Sequence, residues 1–147
     1  MNESAGIPQS DAGTEHETSY FKYDASVRIF AERLNMEGIS SALALQPTRT
    51  HRKGERFLGK MRPFEQDLWM FQPPVNESEP LHRHIDALWL VLKPHKQYLL
   101  ELKQSCTVDV FLGYRSSCDH AGVEVPYSSL EMFTELEVPF GLSIIVA

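Results

Sequence analysis

The chain has 147 residues, of which 42% are hydrophobic and 23% are charged, values that are typical of one globular domain and exclude a fibrous or wholly disordered chain. Fourteen Lys and Arg against twenty Asp and Glu give a net charge of −6, which argues against a protein that coats nucleic acid. The sequence contains no apolar run long enough to span a membrane and no signal-peptide pattern. We therefore expect a cytoplasmic protein without a membrane partner, in which Cys106 and Cys118 are reduced thiols.

The N-terminal segment differs in composition from the rest of the chain. Residues 1–19 are rich in Ser, Glu, Gly and Thr, and Ile7 is their only large aliphatic side chain after Met1. The acidic side chains of this segment are not balanced by any Lys or Arg. Such a composition does not bury enough apolar surface to fold, so we predict a disordered acidic tail at 1–19 and a single domain at 20–147.

The first half of the domain contains two predicted strands and one helix. Apolar and polar residues alternate from Phe21 to Ile29, which predicts a strand with one buried and one polar face. Asn35 is a suitable N-cap for a short helix that Pro47 ends. Residues 46–66 show no period and contain several Pro and Gly, so they predict a long loop before a short central strand at 67–72.

The second half is predicted to contain two helices and three strands. Five apolar residues at helical spacing predict an amphipathic helix: Leu81, Ile85, Leu88, Trp89 and Leu92. Pro94 either kinks this helix or occupies the first turn of a second one, and the apolar stripe continues to about residue 104. Alternation predicts a strand at 107–114, which a turn joins to a short strand at 122–125. A capping box then begins a helix, and a last strand covers 140–146, where Ile145 breaks the polarity of the second face.

The order of these elements is βα–βαββαβ. Its last six elements match the ferredoxin-like, or split βαβ, arrangement, preceded by an extra N-terminal βα unit. We therefore predict an α+β fold with a mixed sheet and helices mainly on one face. If the strands at 21–29 and 107–114 are neighbours, the other face carries a polar row that is either a set of cross-strand charge pairs or a site: Lys22, Asp24, Arg28, Thr107 and Asp109.

Four stretches form a more specific pattern: VRIF at 27–30, QPTRTHRKGER at 46–56, Leu68-Trp69 with the helix at 84–92, and VDVFLGYRSS at 108–117 followed by Gly122. Together they resemble the bacterial domain-of-unknown-function family 4279 over roughly residues 21–146. The resemblance implies a bacterial, usually single-domain cytoplasmic protein and no assigned activity. Asp67 is a departure, because the resemblance leads us to expect Gly before Leu68.

A basic segment is the main candidate site. Six Lys and Arg and one Glu lie between residues 49 and 62, inside the predicted loop. Guanidinium groups bind phosphate and carboxylate groups bidentately, so this segment favours an anion or an acidic partner surface. We predict that the ligand- or partner-binding residues are Thr48, Arg49, Thr50, Arg52, Lys53 and Gly54. The alternative is that the arginines tie the loop to the sheet through carboxylates, in which case the site lies on the open sheet face.

The remaining polar residues do not predict a catalytic or metal site. His82 and His84 lie in a helical pattern, where residues two apart point in different directions, so we predict no metal ligands there. Cys118, Asp119 and His120 are adjacent in sequence, whereas the members of a nucleophilic triad usually come from separate elements. We therefore predict no catalytic residue and no cofactor, and we favour a protein that is not an enzyme.

These observations lead to two hypotheses of function. The first is a non-enzymatic protein-interaction module, in its most specific form an immunity or antitoxin-type protein that neutralises a partner toxin. An acidic protein associates rapidly with a basic toxin through electrostatic steering. The alternative is a small anionic-ligand-binding protein or an enzyme that uses the basic loop at 48–54. Neither hypothesis predicts an oligomeric state.

Overall fold

The computed structural model describes residues 19–58 and 62–147, so the predicted tail lies outside the described residues except for its last residue. The strands and helices are β1 (Phe21–Ala31), α1 (Met36–Leu43), β2 (Arg49–His51), β3 (Asp67–Phe71), α2 (Leu81–Leu92), α3 (Lys96–Leu102), β4 (Thr107–Ser116), α4 (Glu131–Leu136) and β5 (Leu142–Val146). Short 3-10 turns precede α3 and α4. None of the helices in this part of the chain is long and apolar enough to cross a membrane.

The five strands form one mixed sheet in the order β2-β3-β1-β4-β5. The central strand β1 is antiparallel to both β3 and β4, β2 is antiparallel to β3, and β5 is parallel to β4. The predicted α+β class and mixed sheet are therefore confirmed. The condition stated for the polar row is met, because β1 and the strand that begins at Thr107 are neighbours.

One face of the sheet carries the hydrophobic core. Ala25, Val27 and Ile29 alternate along β1 and are fully buried, as the period of two predicts. Each of α1, α2, α3 and α4 contributes side chains to the same core. The amphipathic helix is confirmed, with Leu88 fully buried, and Pro94 lies in the 3-10 turn between α2 and α3, as the second of the two alternatives expects. A proline fits that position because it begins a new helical segment instead of interrupting one.

Two sequence-based assignments are corrected by the structure. Residues 122–125 form no strand, so the predicted hairpin with β4 is wrong. Both edges of β4 are occupied, by β1 and β5, and Val123 and Val125 pack against the core instead. Part of the predicted loop forms the edge strand β2, whose three residues are too few to show a period. The last six elements of the chain therefore do not follow the predicted order βαββαβ.

Candidate functional site

A buried carboxylate ties the predicted basic loop to the end of the sheet. Asp67 is 3% exposed. Its Oδ2 accepts a hydrogen bond from Arg52 Nη1 at 2.7 Å and one from the Leu34 N–H at 2.9 Å, and its Oδ1 accepts one from the Lys53 N–H at 2.8 Å. Arg52 Nη1 also donates to the Leu34 carbonyl at 2.9 Å. Asp67, the residue that departs from the expected Gly, is thus the anchor of the loop.

The hydrogen bonds of this anchor keep Asp67 ionised. Burial by itself raises the pKa of this carboxyl, but the backbone N–H groups of Lys53 and Leu34 and the guanidinium of Arg52 stabilise the charged form more strongly. Together they lower the pKa of Asp67 to about 2. Arg52 and Asp67 therefore form an ion pair throughout the physiological pH range.

The turn that follows Arg52 is held by contacts within the protein. Lys53 Nζ donates to the two carboxylate oxygens of Glu32 at 2.7 and 3.0 Å. Gly54 has a φ of 94°, in the left-handed region that favours glycine, and its N–H donates to the Phe64 carbonyl at 2.9 Å. The arrangement is that of an anchored turn.

The first three predicted site residues lie along the edge of the sheet. Thr48 Oγ1 accepts a hydrogen bond from the Gln72 N–H at 2.8 Å, and Arg49 and Thr50 pair with β3 as part of β2. Arg49 is exposed, and within the described residues its side chain makes no hydrogen bond or ion pair. The six predicted residues are therefore close in sequence, but the side chains of Arg52 and Lys53 are directed to Asp67 and Glu32 and not to a shared site with Arg49.

The opposite face of the sheet carries the predicted polar row. Arg28 Nε and Nη2 donate to the two oxygens of Asp109, both at 2.9 Å, across β1 and β4. The guanidinium carbon lies 5.2 Å from the ring centroid of Phe30 and 4.8 Å from that of Phe111. These two residues therefore form a cross-strand ion pair. Asp24 lies four residues from Arg28 on β1, about 13 Å away, which is too far to share acid–base chemistry with Asp109.

The described histidines and cysteines do not come together in a metal site. Across residues 19–58 and 62–147, no three His, Cys, Asp or Glu side chains are arranged to hold a metal ion. His84 is buried in α2, and its Nε2 lies 3.0 Å from the Glu79 carbonyl. Since a carbonyl only accepts, this Nε2 carries the proton. Both Cys106 and Cys118 are free, and the Cys118 thiol donates to Ser19 Oγ at 3.1 Å.

Exposed apolar surface lies at the β5 edge of the sheet. The exposed fractions are 59% for Ile144, 45% for Ile145 and 54% for Val146. Among the described strands, none pairs with the outer side of β5. The Ala147 N–H donates to the Ser116 carbonyl of β4 at 3.0 Å. Because backbone groups alternate in direction along a strand, the N–H and C=O groups of Ile144 and Val146 point to the open edge.

A comparison with models of protein families assigns the chain to a family. A model described as a domain of unknown function (DUF4279) matches residues 19–147. The chain belongs to this family. The resemblance seen in the sequence is confirmed, and the family description assigns no activity. Neither a curated protein nor a solved structure matches this DUF4279 chain.

Sequence reasoning about this DUF4279 protein missed the β5 edge and the role of Asp67. The available signal for the β5 edge was Ile145, which breaks the polarity of the second face of the last strand. A strand with apolar residues on both faces is, however, more typical of a buried position. Asp67 stood out only as a departure from the expected Gly. Neither residue reveals its role without the strand order and the contact with Arg52.

Proposed function

We propose that this protein is a non-enzymatic protein-interaction module that binds its partner along the outer edge of β5. The observation that carries the proposal is the apolar edge strand β5, whose outer side pairs with none of the described strands. Soluble proteins usually protect sheet edges with charged residues, prolines or bulges, and the sequence of β5, LSIIV, contains no charge and no proline. An extended partner segment can add to this edge, with main-chain hydrogen bonds and apolar contacts to Ile144 and Val146.

The specific form that we propose is an immunity or antitoxin-type role in a bacterial cytoplasm. The net charge of −6 supports this form, because an acidic protein attracts a basic toxin over a long range and accelerates association. Steering of this kind accelerates the encounter, while the apolar edge supplies contacts that stabilise the complex. The two properties together suit a fast and tight inhibitor.

We also propose that the body is a ferredoxin-like domain to which β5 is appended. When α2 and α3 are counted as one helical connection, the elements from β1 to β4 follow the order βαββαβ, and the sheet order β2-β3-β1-β4 with antiparallel neighbours supports this assignment. The extra unit is then α4 with β5 at the C-terminal end, instead of an N-terminal βα pair. This assignment makes β5 an addition to a complete unit, as an interaction element would be.

The alternative is an anion-binding protein or an enzyme that uses the loop at 48–54. Two of its predicted donors, Arg52 and Lys53, already pair with Asp67 and Glu32. Arg49 is exposed at the edge strand, but a single exposed arginine contributes little affinity. The geometry therefore favours the β5 edge over the basic loop.

Binding to the product of the gene directly upstream tests the proposal. We expect Ile144→Lys to weaken this complex by about tenfold or more in isothermal titration calorimetry, because it places a charge in an apolar contact. Leu90→Lys is the matched control, since Leu90 is a 76% exposed leucine on α2. Equal loss in both variants would contradict the β5 assignment, and loss only in Arg49→Ala would assign binding to the basic loop. A neighbouring product that is not toxic would overturn the immunity role.

A further inference from the structure

A pocket of about 210 Å³ opens on the polar face of the sheet. Its floor is a row of three residues that are in register across three strands, Asp24 of β1, Gly113 of β4 and Ser143 of β5. Gln72 and Glu77, from the connection between β3 and α2, line one wall. The Tyr23 N–H donates to the Glu77 carbonyl at 2.8 Å, which holds that wall against β1.

The absence of a side chain at Gly113 allows Asp24 to lie on the floor. A Cβ atom at Gly113 would be 2.6 Å from Asp24 Oδ2 and 2.9 Å from Oδ1, closer than atoms can approach. The carboxylate thus occupies the space that any other residue at position 113 would fill. Ser143, the next residue in the row, is also small, so the floor stays open as far as β5.

Two opposite charges in this pocket lack a partner in the described part of the chain. Asp24 is half-buried and accepts no hydrogen bond, and Arg115 is exposed and makes no hydrogen bond or ion pair. The other two charged residues at the pocket, Lys22 and Glu77, pair with each other at 3.3 Å. Both charges are therefore available to a ligand, and the partial burial of Asp24 strengthens an ion pair formed there, because a charge pair is screened less in a half-buried site than in open water.

We propose that this pocket binds a small zwitterion of the free α-amino acid class, whose ammonium group pairs with Asp24 and whose carboxylate pairs with Arg115. An ammonium group supplies the hydrogen-bond donors that Asp24 lacks, and a guanidinium group binds a carboxylate bidentately. A simple anion would place a second negative charge beside Asp24. A simple cation would add a third positive charge to those of Lys22 and Arg115. A zwitterion leaves the pocket neutral, because the four charged residues already balance.

The volume and the position of the pocket define the ligand further. Pockets for drug-sized ligands occupy about 300–1,000 Å³, so a space of about 210 Å³ suits a smaller molecule. Phe111 and Ile145 add apolar walls against which a short side chain can pack. The site lies on the sheet face, whereas the proposed partner adds at the strand edge, so this inference goes beyond the proposed function.

Calorimetric titration of the full chain with each of the twenty free α-amino acids at pH 7.5 tests the proposal. We expect at least one to bind, with propionate and ethylamine, which carry one charge each, binding about tenfold or more weakly. Asp24→Asn and Arg115→Gln are each expected to weaken binding by about tenfold. Asp86→Asn and Arg83→Gln, which change exposed residues of α2, are the matched controls and are expected to bind as the wild type does.

The pH dependence gives a second readout. Burial raises the pKa of Asp24, and Glu77 raises it further, while His84 and Arg115 oppose the rise. Protonation removes the partner of the ammonium group, so affinity is expected to fall as the pH drops through a pKa above the ordinary aspartate value. The proposal is overturned if no amino acid binds, if propionate binds as tightly as the best amino acid, or if Asp24→Asn binds normally.

Discussion

The anchor between Asp67 and the basic loop leads to a quantitative prediction for Asp67→Asn. The asparagine side chain keeps the shape but presents an NH₂ group to at least one buried N–H donor, whichever way the amide is turned. A buried donor without an acceptor costs about 1–3 kcal/mol, whereas the Arg52 guanidinium that loses its partner is half exposed and can be solvated by water. The pKa of about 2, against an ordinary 3.8, corresponds to about 2.5 kcal/mol for the ionised form. We therefore expect Asp67→Asn to lower the free energy of unfolding by about 2–3 kcal/mol.

Urea denaturation as a function of pH measures this effect. Since the pKa of Asp67 is lowered in the folded protein, its stabilisation is present above the ordinary pKa near 3.8 and is lost as the pH falls towards 2. The difference in unfolding free energy between the wild type and Asp67→Asn is expected to be constant near pH 7 and to shrink below about pH 5.

The two neighbouring arginines provide the control for this reasoning. Arg52→Gln removes a donor to Asp67 and is expected to cost about 1–3 kcal/mol. Arg49→Gln changes an exposed arginine and is expected to cost less than about 0.5 kcal/mol. The reasoning is refuted if Asp67→Asn unfolds within about 0.5 kcal/mol of the wild type, or if both arginine variants cost the same. Arg52 would then be available for ligand binding after all.

Three further substitutions test the core and its polar contacts by urea denaturation. Leu88→Ala, at a fully buried position of α2, is expected to cost about 2–5 kcal/mol, whereas Leu90→Ala, at an exposed position of the same helix, should change stability by less than about 0.5 kcal/mol. Ser40→Ala removes the acceptor, at 3.0 Å, of the buried Trp69 Nε1–H and is expected to cost about 1–3 kcal/mol. Lys103→Met removes an ammonium group that donates to two carbonyls at the end of α4, at 2.9 and 2.6 Å, and is expected to cost about 1 kcal/mol, while no loss would show that these bonds add nothing net.

Elements in which a regular hydrophobic pattern extends over many consecutive residues were predictable from the sequence. The alternation in β1 and the helical spacing in α2 each reflect one buried face, so they follow from which residues must avoid water. The polar row on the open face was predictable for the same reason, and the Arg28–Asp109 pair follows once β1 and β4 are known to be neighbours. The short segments were less predictable, because three residues of β2 or four residues at 122–125 show no distinctive period.

Contacts between distant parts of the chain explain why the structure favours the β5 edge over the predicted basic loop as the binding site. Arg52 looks like a ligand-binding cation beside Arg49 and Lys53, but Asp67, 15 residues later, accepts its hydrogen bond. No local pattern connects these two residues, because the loop between them has no period. A positively charged segment therefore indicates that cations are close in sequence, and it does not indicate how many remain for a ligand.

The sequence by itself determined the α+β class, the central strand β1, the amphipathic helix α2 and membership of the family, because each depends on residues that are near in sequence or on a family-wide pattern. Only the tertiary structure decided that β5 is an edge strand and that Asp24, Gly113 and Ser143 form one row. The physical reason is that strand order and register result from pairing between segments far apart in the chain. A residue's neighbours, and hence the exposure of Ile144 and the position of Asp24 beside Gly113, follow from that pairing.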